Sequence, residues 1–266
     1  MPKVSVNGIE LYYEVQGTGD PLLLVAGFAC DHTVWSLVVP QLAAHFRVIA
    51  FDNRGAGQSS SLEAVASIRQ MAGDAAGLLD AIGLASAHIA GHSMGGMIAQ
   101  ELALAHPDKV QSLQLVSSCA QVDARGRAII EFWGALPRLV DTETMGRILL
   151  PWLHTNAFFA KPGAVEQLLD QYLSYPFPPS AETIQGQSLA ISSFGSSSRL
   201  GELDCPTLVV VGEEDILFPI EFSRQLVQGI RGAELVVLKK TGHGLLIESP
   251  DAVARAMLDF LIKQEE

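Results

Sequence analysis

The spacing of hydrophobic and polar positions changes character along this chain. From Val4 to Val15 apolar and polar residues alternate in two runs around Asn7-Gly8, which predicts an antiparallel hairpin closed by a two-residue turn. Beyond it the apolar runs become short, continuous and rich in β-branched residues: Leu22–Ala26, Val48–Phe51, His88–Ala90, Leu113–Val116, Leu208–Val211 and Leu235–Leu238. Runs of this kind predict strands buried on both faces, as in a parallel sheet. Between them the spacing becomes helical. Ile68, Met71, Ala75, Leu78, Leu79 and Ile82 recur at intervals of three and four up to Gly83, and Met97, Ile98, Leu102 and Leu104 do so up to His106-Pro107. A last helix starts at Ser249-Pro250-Asp251 and buries Val253, Met257, Phe260 and Leu261. The fold class expected is α/β: a mostly parallel central sheet of about eight strands, flanked by helices, with an antiparallel hairpin at its N-terminal end.

One interval breaks the strand–helix rhythm. Residues 121–199 carry helical patterns, no convincing strand, and breaks at Pro137, Pro151, Pro162, Pro176, Pro178 and Pro179. This predicts an insertion between two late strands, with the core formed by 1–120 and 200–266. Its aromatics Trp133, Trp152, Phe158, Phe159, Tyr172, Tyr175 and Phe177 either line a pocket or fasten the insert to the domain beneath. Trp133, Trp152 and Phe158, with Phe28 from the core, are the candidate pocket wall.

Composition narrows the function classes. A chain of 266 residues, 48% hydrophobic and 17% charged, with no low-complexity tract, reads as one compact globular unit. Its formal net charge of −12 argues against nucleic acid and against an anionic membrane surface, both of which need a basic face. Cys30, Cys119 and Cys205 are odd in number and lack metal-ligand spacing, so buried free thiols are expected and no metal is implied. The opening Met-Pro-Lys-Val-Ser-Val-Asn-Gly has no apolar signal region and the apolar runs are strand-length, which points to the cytosol.

The chemistry concentrates at Gly91-His-Ser93-Met-Gly95-Gly96, where a short strand runs into Gly-x-Ser-x-Gly and then a helix. The pentapeptide alone is weak in a glycine-rich chain, but the strand–turn–helix frame puts Ser93 on a sharp turn with its hydroxyl above the sheet. A serine hydroxyl needs a base, and the base needs an acid to fix its tautomer. Ligands of parallel sheets bind beyond the carboxyl ends of strands, which selects residues just after apolar runs. Asp215 follows one such run and His243, between two glycines, follows the next, 28 residues later; the order Ser, Asp, His suits this architecture. Glu213 and Glu214 compete with Asp215, whereas His32, His45, His88, His92, His106 and His154 read as core or solvated histidines. An oxyanion would need two amide donors. The expected pair is Met94, directly after the serine, and Phe28, in the loop after the first long parallel strand.

Gly91-His-Ser-Met-Gly-Gly96, Asp52-Asn-Arg-Gly-Ala-Gly-Gln-Ser59, Gly212-Glu-Glu-Asp215 and Gly242-His243 together resemble the α/β-hydrolase superfamily over nearly the whole chain. Within it the chain is similar to small capped hydrolases that include enol-lactonases, carboxylesterases, ring-cleavage-product hydrolases and stress-signalling hydrolase-like proteins. The resemblance implies that 121–199 is a helical cap roofing the pocket, and that Asp52 and Arg54 brace loops near the site. One departure stands out: members often have His-Gly at the oxyanion loop, where this chain has Ala26-Gly27 and so lacks one stiffening hydrogen bond.

The function expected is hydrolysis of an ester, lactone or similar activated carbonyl of a small molecule with an apolar part, through an acyl-enzyme and without metal or organic cofactor. A serine nucleophile argues against the branches that use an aspartate. Carbon–carbon bond hydrolysis and perhydrolysis use the same triad and stay open. The alternative from another class is a hydrolase-like receptor that captures a small molecule and signals by binding a protein.

Overall fold

The computed structural model describes residues 2–60 and 67–265. Among them eight strands form one sheet in the order β1-β2-β4-β3-β5-β6-β7-β8. The hairpin β1 (Lys3–Val6) and β2 (Ile9–Gln16) turns at Asn7-Gly8, with φ of 49° and 80°, the left-handed pair that a two-residue turn between right-twisted strands requires. β2 runs antiparallel to β4 (Arg47–Phe51). β3 (Pro21–Val25), β4, β5 (Ala87–His92), β6 (Val110–Val116), β7 (Thr207–Gly212) and β8 (Glu234–Leu238) are mutually parallel, so their carboxyl ends share one rim.

Successive side chains point to opposite faces, and each face has its own apolar layer. Leu23, Val25, Ile49, Ile89, Leu113 and Val209 face α2 (Ile68–Ala81) and α3 (Met94–Ala105). Leu22, Leu24, Val48, Ala90, Val116, Leu208 and Val210 face Trp35 and the last helix, α11. The short α1 (Val39–Leu42), α9 (Ile220–Gly229), α10 (Leu245–Glu248) and α11 (Pro250–Glu265) complete the core layers. The periodicities predicted for α2 and α11 hold: Ser67 caps α2, Gly83 ends it at φ 74°, and Val253, Met257, Phe260 and Leu261 are buried.

Between β6 and β7 the chain is helical: α4 (Ala124–Ala135), α5 (Thr142–Leu153), α6 (Asn156–Phe159), α7 (Ala164–Ser174) and α8 (Ala181–Ser193). The segment leaves and returns at one point, where Gln121 and Gly195 form an antiparallel bridge and Ser196 N–H donates to Ala120 C=O at 2.9 Å. Its helices start where short polar side chains cap them: Asp123, Asp141 and Ser180 accept from Gly126, Thr144 and Thr183 N–H.

Three expectations need correction. β8 is the sheet edge and only half-buried, because among the described residues no further strand pairs with its outer side. Pro151 does not break its helix; it sits inside α5 two residues from the end, and the helix continues to Leu153 without the bond its N–H would have made. Of the three free thiols only Cys119 is buried, while Cys30 and Cys205 lie in loops and are half-buried.

Arg54 and Asp74 join the loop after β4 to α2 through Nε–Oδ2 and Nη2–Oδ1 contacts of 2.5 and 2.7 Å, and Asn7 in the hairpin turn adds a donor to the same carboxylate at 3.1 Å. Both pair members are buried. Removing one partner of such a pair leaves an uncompensated charge. We expect Arg54→Leu to cost about 3–5 kcal/mol in urea unfolding, and the double variant Arg54→Leu, Asp74→Leu to recover part of that loss. A single-variant cost below about 1 kcal/mol would mean the pair behaves as a surface pair.

Candidate active site

Ser93 joins β5 to α3 at φ 54° and ψ −118°. A side chain at positive φ is strained, so its surroundings must hold it. Ser93 N–H donates to Val116 C=O at 2.9 Å, and Ser93 C=O accepts from Ser118 Oγ at 2.9 Å and Gly96 N–H at 3.0 Å. Two glycines make room. A Cβ at Gly91 would lie 2.2 Å from Gly95 O, and one at Gly95 the same distance from Val25 O, both immovable backbone.

The loop after β8 carries His243, and the loop after β7 carries Asp215. His243 Nε2 lies 3.0 Å from Ser93 Oγ and its Nδ1 lies 2.8 Å from Asp215 Oδ2. The carboxylate is fixed in turn, because Asp215 Oδ1 accepts from Leu217 and Phe218 N–H at 3.0 and 2.8 Å. An acceptor-only carboxylate on Nδ1 selects the tautomer whose Nε2 can take a proton. All three side chains are buried, and the Phe218 ring stands edge-on to His243 at 5.2 Å. Glu213 and Glu214, the competing acids, are exposed.

Phe28 and Met94 sit on the two backbone segments that flank Ser93. Met94 opens α3, so its N–H has no acceptor within the helix. Phe28 N–H makes no bond to any described residue, while its neighbour Ala29 donates to Gln187 Oε1 of α8 at 2.8 Å. Asn53 Nδ2 donates to Ala26 C=O at 3.0 Å. The loop with Ala26 is thus held by two long-range side-chain bonds, neither apparent from local sequence.

A cavity of about 230 Å³ lies against Ser93 and His243. Phe28 and Trp133 line it, their rings 6.3 Å apart. Trp152 and Phe158 do not line it. Trp152 packs half-buried against the core, and Phe158 stacks on His154 at 4.2 Å, so both fasten the segment. The wall comes instead from aliphatic residues: Leu149, Leu150, Leu153, Leu169 and Ile191, which helical spacing marks as buried without saying against what, and Leu217 from the loop after β7. His154 also lines the cavity, contrary to its reading as a bystander.

Nearby charges serve the loops. Asp52 accepts from His32 N–H at 2.9 Å and Gln58 N–H at 2.8 Å, and His32 Nδ1 lies 2.6 Å from it. Asp31, His32 and Asp52 bring potential ligand atoms within 4.8 Å of one another, but the His32 nitrogen is already engaged by Asp52 and Asp31 Oδ1 accepts from Thr33 N–H and Oγ1.

The alpha/beta hydrolase fold family model matches residues 20–250. The protein "Putative carbamate hydrolase RutD" of Azorhizobium caulinodans is 32% identical over 260 residues, covering 98% of each chain. Among solved structures, a thermophilic esterase from Thermogutta terrifontis superposes with a TM-score of 0.89 at 30% identity, covering 100% of both chains. The enol-lactonase from Burkholderia xenovorans gives 0.88 at 27% identity, covering 98% of this chain and 100% of that one. Among the described residues no helix is long and apolar enough to cross a membrane.

His92, beside the serine, supplies a pH prediction. Its Nε2–H donates to His243 C=O at 3.2 Å, and burial, with the nearby His243, pushes its pKa down to about 3. The unfolded chain binds this proton below about pH 6.5, whereas the folded one does not until far lower. Stability from His92 is therefore full above that pH and falls as pH drops, by up to about 1.4 kcal/mol per unit. Burial lowers His88 as well, with the same sign. Burial also opposes charge on His32, but its hydrogen bond to Asp52 and the surrounding carboxylates outweigh this and raise it, so its contribution fades as pH rises. Comparing wild type with His92→Gln in urea at pH 7 and pH 5 isolates the term: the wild type should lose more stability on acidification. Equal losses would contradict the assignment.

Proposed function

The chain belongs to the alpha/beta hydrolase fold family, and from that premise we propose that it is a serine hydrolase that cleaves an ester, lactone or related acyl group of a small molecule. The observation that carries the reading is the unbroken line from Asp215 Oδ2 through His243 to Ser93 Oγ, with both contacts at hydrogen-bond length.

In the first half-reaction His243 Nε2 takes the hydroxyl proton as Ser93 Oγ attacks the carbonyl carbon. The carbonyl oxygen becomes an oxyanion, received by the Phe28 and Met94 amides. Fixed donors in a site with little water are worth most at that moment. Asp215 stabilises the imidazolium without taking its proton. Collapse breaks the bond to the leaving group, which departs with the proton from His243. In the second half-reaction His243 deprotonates water, the hydroxide attacks the acyl carbon, and the acid leaves as Ser93 recovers its proton.

The segment 121–199 acts in this reading as a cap that closes the cavity above Ser93. The wall carries no Lys, Arg, Asp or Glu side chain. Burying a charged substrate group there would cost its hydration without return, which favours an uncharged acyl part. The carbamate, ester and lactone of the relatives' names share the acyl carbonyl on which these steps act.

A p-nitrophenyl acetate assay tests the proposal. The wild type should turn over many times, Ser93→Ala and His243→Ala should lower kcat by at least about 10³-fold, and Asp215→Asn somewhat less. Activity within tenfold of wild type in either of the first two would overturn it. A single burst without turnover would point instead to a ligand receptor that keeps the triad.

A further inference from the structure

The catalytic cavity contains a second imidazole held by a carboxylate. His154 ends α5, and its side chain is 2% exposed; Nδ1 lies 3.0 Å from Oε1 of Glu248, itself 4% exposed. The carboxylate also accepts from Thr155 N–H at 2.7 Å and Gly242 N–H at 3.1 Å, and stacking on Phe158 at 4.2 Å and 22° fixes the plane of the ring. Burial alone would raise the Glu248 carboxyl, but these donors outweigh it and hold the group below its ordinary value, so it is ionised.

The position of the ring is as specific as its support. His154 lines the same cavity as Ser93 and His243, and a Cβ on Gly244, next to the base, would lie 2.4 Å from His154 Cε1 and 3.1 Å from Nε2. The free edge of the imidazole therefore lies against the backbone beside the base. Its Nε2 makes no hydrogen bond to any described residue. The two dyads match in order: carboxylate to Nδ1, then Nε2. For His243 the Nε2 partner is Ser93, and for His154 no described residue supplies one.

We propose that His154 is a specificity-determining residue whose Nε2 accepts a hydrogen bond from a substrate hydroxyl or N–H group close to the scissile carbonyl. The proposal deepens the reading of the cavity as a substrate chamber and rests on it. Glu248 accepts only, so Nδ1–H donates to it, and in the tautomer this selects the Nε2 lone pair is directed elsewhere. An acceptor in a wall made mostly of aliphatic side chains loses its water partner when the bound ligand is a plain alkyl ester and regains a bond from a donor-bearing one. Unpaired polar groups are how binding sites reject analogues that lack one hydrogen bond.

The test measures binding in Ser93→Ala protein, which holds esters without cleaving them. Methyl butyrate is compared by NMR titration with its near-isostere methyl N-ethylcarbamate and with methyl 2-hydroxybutyrate and methyl 3-hydroxybutyrate. At least one donor-bearing ligand should bind on the order of tenfold tighter than methyl butyrate, the size of one net hydrogen bond. Adding His154→Phe or His154→Leu should bring all four to within about twofold of one another. Absence of any preference, or a preference that survives both replacements, overturns the proposal. The binding result stands apart from turnover: a wild type that hydrolyses no ester would defeat the hydrolase reading, while these affinities would still decide the role of His154.

Discussion

The whole site depends on a few residues of backbone that run sideways along the rim of the sheet. β8 lies three strands from β5, about 14 Å at the usual strand spacing, which is farther than an imidazole reaches. His243 meets Ser93 because the chain leaving β8 turns back across the end of β7. Glu213 N–H donates to Leu238 C=O at 2.8 Å and Glu214 N–H to Thr241 C=O at 2.9 Å, tying the two loops together. The approach is so close that a Cβ on Gly212 would lie 2.2 Å from Thr241 O and 2.4 Å from Gly242 O. Asp215 follows on the loop beneath, where its carboxylate meets His243. One glycine at the end of β7 therefore permits the crossing that lets three distant strand ends act at one point.

The helices between β6 and β7 are bonded to both loops that matter. α8 reaches the loops after β3 and β4, where Gln187 accepts from Ala29 N–H and Thr183 Oγ1 donates to Gly55 C=O at 3.0 Å. The end of α5 reaches the base side, where Leu153 C=O accepts from Gly244 N–H at 2.7 Å and Glu248 joins Thr155 to Gly242. His243 thus sits between two glycines whose amides are both spoken for by this contact. Moving the helical segment away from the sheet would strain the Phe28 loop and the His243 loop together. Seating of the segment and assembly of the site are, on this geometry, one event. The Ala26-Gly27 departure fits the same picture: the loop that lacks a neighbouring histidine is held by Asn53 from one side and Gln187 from the other.

How much of this was legible depended on the sequence range of the interaction. The Asn7-Gly8 turn, the caps, the Ser93 turn and the strand-end placement of Asp215 and His243 are decided by a few adjacent residues, and local pattern is enough for them. The cavity wall is decided by which faces of α4, α5, α7 and α8 meet, and helical spacing says only that a residue is buried. Large aromatics drew attention to Trp152 and Phe158, yet broad rings serve well as fasteners, and the wall went to leucines. His154 and Glu248 are 94 residues apart and Ala29 and Gln187 are 158 apart. No window of sequence contains either pair. A weak signal for His154 existed in its place at a helix end just before Thr155, a capping residue, but a helix end has many uses.

The electrostatics of the cavity follow from the same enclosure. Burial pushes the His92 pKa down to about 3, and it pushes the Tyr172 hydroxyl and the Cys30 thiol up to about 12, so all three wall groups are neutral near pH 7. The two carboxylates that hold imidazoles of the wall, Asp215 and Glu248, do not themselves line the cavity, and each accepts from backbone amides. In such a surround the effective dielectric is low, and fixed dipoles act more strongly than they would in water. In the proposed reaction the amides of Phe28 and Met94 would then meet little competition for a developing negative charge on a substrate oxygen. Under the proposed function the apolar wall would therefore do more than accommodate an apolar substrate, because the neutrality of these groups leaves the backbone dipoles beside Ser93 with little to oppose them.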